Sequence, residues 1–106
     1  MSKLSVSIPR NVIAKFLRDE KGNPIGLACA TQGASGDVTV GWSFVAKRDR
    51  KQGRISKARS WQIALIRAEQ GTGNTCPQVL APIVTEVQER AARYFRVDEV
   101  RLAGVA

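Results

Sequence analysis

Seven cationic side chains fall within thirteen consecutive positions: Lys47, Arg48, Arg50, Lys51, Arg54, Lys57 and Arg59, against the single acid Asp49. With Arg67 added, the stretch from Lys47 to Arg67 carries +7 of the formal +8 of this 106-residue chain. Charge so concentrated repels itself in a folded protein, and the chemistry it fits is contact with anionic phosphate, nucleic acid above all. Each phosphate neutralised releases condensed counterions and steepens the salt dependence of binding by roughly one log–log unit. A solvated loop that merely aids solubility is the plainer reading of any charge run, but the density here favours a partner. Trp42, Phe44 and Trp61 bracket the run. If exposed, they form a stacking platform for unpaired bases. If buried, they pack a sheet against a helix, which is the favoured reading for Phe44 and Trp61 and an even choice for Trp42.

Other chemistry is sparse. Gly71-Thr72-Gly73-Asn74-Thr75 precedes a helix start, where backbone amides can hold a phosphate, but no Lys-Ser/Thr follows as a Walker loop requires. An ordinary helix–helix loop is the better reading. Histidine is absent, which removes imidazole acid–base catalysis, Ser-His and Cys-His pairs and His-based metal sites. Cys29 and Cys76 are read as free thiols. Cys76 falls in a first helical turn, where the dipole would lower its pKa, yet no base stands near it in sequence. The nine carboxylates show no recognisable pairing. A non-enzymatic protein with no catalytic residues, no metal and no cofactor is therefore expected.

The elements that must position the cations follow from periodicity. Leu4, Val6 and Ile8 alternate with serines up to Pro9, and Val12 to Arg18 is β-compatible, although Ala14, Lys15 and Leu17 would also suit a short helix. The turn cluster Asp19 to Pro24 joins it to the apolar run Ile25 to Thr31 as a hairpin. After a second turn at Gln32 to Asp37, Val38, Val40, Trp42 and Phe44 share one face of a strand. Ser56 to about Gln70 reads as a helix with Ala58, Trp61, Leu65 and Ala68 on its apolar face, stopped by Gly71. Thr75 and Gln78 fit a capping box for a second helix, its stripe running Leu80, Ile83 or Val84, Val87, Ala91 and Tyr94. Pro82 predicts a kink or a delayed start near Ala81. The tail from Val100 to Val105 is a candidate last strand.

These pieces predict a single α+β domain spanning residues 1–106, an antiparallel sheet of three to four strands packed on one face by two C-terminal helices. No apolar run approaches the ~20 residues that span a bilayer, and the N-terminus is too polar for a signal peptide, so a cytoplasmic protein without a membrane partner is expected. The second helix or a free sheet edge offers a homodimer contact.

Gly41-Trp42-Ser43-Phe44, the basic stretch from Lys47 to Arg54, and Ala64 with Arg67-Ala68 resemble small accessory proteins encoded by bacteriophages, which carry a Gly-Trp-Ser strand, a basic Lys-Asp stretch and a helix ending in Arg-Ala. The resemblance covers about a third of the chain and implies a phage or prophage origin. Such proteins either bind nucleic acid or block a host enzyme or defence system. The reading that emerges is a nucleic-acid-binding protein, for DNA or RNA, gripping phosphates through Lys47, Arg48, Arg50, Lys51, Arg54, Lys57 and Arg59, with Arg67 extending the patch and Trp42 beside it. The alternatives are an inhibitor of a host protein and a receptor that sequesters a signalling nucleotide.

Overall fold

Val12–Arg18 (β1), Pro24–Gln32 (β2) and Val38–Phe44 (β3) form an antiparallel meander in the computed structural model, which describes residues 11–71 and 76–103. The first hairpin is closed by Asp19, whose Oδ1 accepts the amides of Lys21 at 2.9 Å and Asn23 at 2.8 Å. The Asn23 amide is the main reason the Asp19 carboxyl lies below its usual range. Gly22, at φ +83°, supplies the left-handed residue this turn requires.

After β3 the chain forms a short helix, Lys47–Lys51 (α1), a long one, Lys57–Gln70 (α2), a 3₁₀ turn at Gln78–Leu80, a third helix, Ala81–Phe95 (α3), and a short strand, Val100–Leu102 (β4). Strand β4 lies parallel to β3, so the sheet is mixed, in the order β1-β2-β3-β4. Ser56 caps α2 by accepting the Arg59 amide, and Gly71 ends it in the left-handed region. The start of α3 at Ala81 puts Pro82 in its first turn, where a missing N–H costs little.

The α+β class holds, but two parts of the expected architecture do not. The sheet is not wholly antiparallel, and the two long helices cover opposite faces rather than one. Ala28, Ala30, Val38, Val40 and Trp42 pack with Leu80, Ile83, Val84, Val87 and Ala91 on the α3 side. Leu27 and Cys29 pack with Ala64 and Leu65 on the α2 side. Strand β2 is thus buried on both faces, from Ile25 to Thr31. With a helix on each face, the chain crosses from one side of the sheet to the other between α2 and α3. It then returns alongside β3, and a strand arriving by such a crossover lies parallel to its neighbour. The expected strand at Leu4 to Ile8 and the Thr75 cap lie outside the described residues. No described helix is long and apolar enough to cross a membrane.

Gly41 sets the distance between β3 and α2. A Cβ there would stand 1.9 Å from the Ala64 carbonyl oxygen and 2.4 Å from the Ala68 nitrogen. The helix therefore rests directly on the strand backbone, and this contact aims the N-terminus of α2, with its cations, at the end of β3.

Candidate nucleic-acid interface

The basic segment is an ordered corner. Helix α1 ends in a paired closure: the Gly53 amide reaches the Arg50 carbonyl at 3.2 Å and the Arg54 amide reaches the Asp49 carbonyl at 2.8 Å. This is the Schellman arrangement, with Gly53 at φ +70°. Gly53 therefore closes a helix.

Lys47, Arg48, Lys51, Arg54, Lys57 and Arg59 are all exposed. Among the described residues none of these six pairs with a carboxylate; the ion pair present joins Lys15 to Glu86 at 2.7 Å on the α3 side of the sheet. Lys47, Arg48 and Lys51 line one surface depression, as their spacing along a helix dictates. Arg54 and Arg59 line a neighbouring one with Asp49 and Ser56. Lys57 points the other way, its Nζ lying 5.8 Å from the centre of the Phe16 ring. The Arg18 guanidinium stands 5.7 Å from the centre of the same ring. Arg18 belongs to the cationic surface although 39 positions separate it from Lys57, and only strand pairing brings it there.

Three residues expected in the interface stand elsewhere. Arg50 is half-buried, with its guanidinium 5.1 Å over the Phe44 ring, so changing it removes packing as well as charge. Trp42 is only 5% exposed and belongs to the core, which rules out a stacking platform for bases there. Trp42 packs in the α3-side core, and Arg67 adds to its cover. The guanidinium lies 4.2 Å over the indole, and Nη1 donates to the Trp42 carbonyl at 2.9 Å. Strand β4 stops after serving the Val40 carbonyl through the Ala103 amide, and Arg67 serves the next outward carbonyl in its place. Its role is to clamp the sheet edge. Replacing Arg67 by Met should cost about 2 kcal/mol, the sum of about 1.5 for a charged hydrogen bond and about 0.5–1 for a cation–π contact whose guanidinium is only half-buried. Nucleic-acid affinity should stay near that of the parent. Thermal melts alongside binding curves check this; a variant that melts normally but binds poorly would make Arg67 a partner contact.

The corner also holds polar groups without partners. Trp42 Nε1, Ser43 Oγ and Arg50 Nε are buried and make no hydrogen bond. Ser43 lines a cleft of about 230 Å³ with Arg54, Arg59, Asp49 and Ser60, against the start of α2. A buried hydroxyl without a partner is a cost, so Ser43→Ala should raise stability by about 1 kcal/mol in a denaturant titration. A fall would reveal a partner for the hydroxyl.

Neither thiol has the character of a nucleophile. Burial, aided by Glu69, pushes the Cys29 pKa up to about 12. Cys76 precedes the 3₁₀ turn, half-buried against the α3 core, and burial raises its pKa although Arg67 opposes this. The lowering expected from a helix dipole has no source there, because Cys76 stands ahead of a three-residue turn and not in the first turn of α3. A cavity of about 650 Å³ lies away from the basic corner and is lined by Asp37, Glu69 and Arg101 among others. Of the glycine loop considered for phosphate, only Gly71 lies within the described residues, as the left-handed C-cap of α2. The chain matches no family model, no curated protein and no solved structure.

Proposed function

We propose that this protein binds nucleic acid through the phosphate backbone, without catalysis, using Lys47, Arg48, Lys51, Arg54, Lys57 and Arg59. The observation that carries this reading is that all six are exposed and, among the described residues, none pairs with a carboxylate; Lys47, Arg48, Lys51, Arg54 and Arg59 stand on one ordered sheet-to-helix corner, and Lys57 turns from it towards Phe16. A pre-ordered cationic corner loses little conformational freedom on contact, and its self-repulsion is relieved when phosphates replace counterions. Contacts of this kind position a strand without reading its sequence, so selectivity among sequences should be weak.

The test is fluorescence anisotropy at low salt with labelled single-stranded and duplex oligonucleotides, comparing the parent with a variant carrying Lys47→Gln, Arg48→Gln, Lys51→Gln and Arg54→Gln together. The variant should lose most of its affinity and keep its fold. Unchanged binding would remove the corner from the interface. No binding by the parent, with one host protein co-purifying instead, would favour the inhibitor reading.

A further inference from the structure

Helix α2 lies over β2 and β3, while α3 reaches all four strands. On the α2 side, the outer strand β1 is left with Val12, Ala14 and Phe16 each half-buried. Phe16 meets Trp61 edge to face, with centroids 6.0 Å apart and planes at 84°. Trp61 too is half-buried, and it stands one helical turn after Lys57 on α2. The pair is thus partly open to solvent, lies on an apolar shelf, and is flanked by two cations, Arg18 and Lys57. Arg18 is further fixed by donating to the Gly22 carbonyl at 2.8 Å.

Aromatic faces set among cations that carry no carboxylate partner match the chemistry of an unpaired nucleobase with its phosphates. The base supplies a π-face, and the flanking phosphates supply the negative charge. A duplex keeps its base faces stacked within itself and cannot use such a shelf. Resting on the nucleic-acid reading above, we infer that Phe16 and Trp61 form a stacking site for unpaired bases, so that the partner is single-stranded. The strand runs from the α1 corner past Lys57 to Arg18. The sugar is not part of this recognition, so single-stranded DNA and RNA serve alike.

The test uses the full chain, first without substitutions. Trp42 is buried beneath Arg67, so quenching of the tryptophan emission by a stacked base reports Trp61. Oligothymidylate and oligouridylate should both quench it, whereas inorganic polyphosphate, which offers charge without bases, should not. Phe16→Leu keeps the apolar packing and removes the ring. It should weaken single-strand binding roughly 5- to 150-fold, the range for one stacked base, with duplex binding unchanged. Absence of quenching by the oligonucleotides overturns the inference, as does equal binding by parent and a folded Phe16→Leu variant. If the four-site glutamine variant still loses binding in either case, the phosphate reading stands and only the stacking site falls. If the parent binds neither strand form at low salt, both fall.

Discussion

Gly41→Ala should cost about 3–5 kcal/mol, above the roughly 1–3 kcal/mol usual for added volume in a packed interior and a large share of a small domain's total stability. The added methyl would meet the Ala64 carbonyl oxygen at 1.9 Å and the Ala68 nitrogen at 2.4 Å. Both are helix backbone, so no rotamer change relieves the clash. Helix α2 would have to lift from β3 along its length, loosening Ala64, Leu65 and Ala68 together. Gly33→Ala is the matched control, since its Cβ would approach only the Asp37 carbonyl oxygen, at 3.8 Å, and its change should stay within about 0.5 kcal/mol. Denaturant midpoints for both variants check the pair. Parent-like stability for Gly41→Ala would mean that α2 does not rest on this strand.

The second large effect is on binding. Exchanging Lys47, Arg48, Lys51 and Arg54 for glutamine should weaken oligonucleotide affinity roughly 100-fold at low salt, because most of the phosphate contacts go with them. Stability should change by less than about 0.5 kcal/mol, since these side chains are exposed and hold no partner. Gln at position 54 keeps the backbone amide that closes α1. Arg50 is left in place because its stacking on Phe44 would confound the measurement.

The strands, both long helices and the cationic corner were legible in the sequence because each rests on local periodicity or local charge. The layering was misread for a physical reason. Ile25 to Thr31 is a largely apolar run, the pattern of a strand buried on both faces, and that pattern argues against placing both helices on one face. Sequence groups Arg67 with the surface cations because it cannot show an arginine reaching round a sheet edge to Trp42. Arg18 is not visible from sequence for the converse reason, as only the fold brings it and Lys57 to the same Phe16 ring. The residues behind the phage-protein resemblance gain a structural meaning: Gly41 admits Ala64 and Ala68, and Trp42 lies under Arg67. That pattern encodes a strand–helix joint. The cations are carried on the corner that the joint holds in place.

The salt dependence of binding tests the phosphate reading most directly. With six cations engaged on single-stranded oligonucleotide, the log–log slope of affinity against salt should be about −4, or roughly 100- to 1,000-fold weaker binding between 50 and 200 mM. The four-site glutamine variant should flatten that slope by about 3 units. A parent slope near zero, or one that the substitutions leave unchanged, would contradict the account.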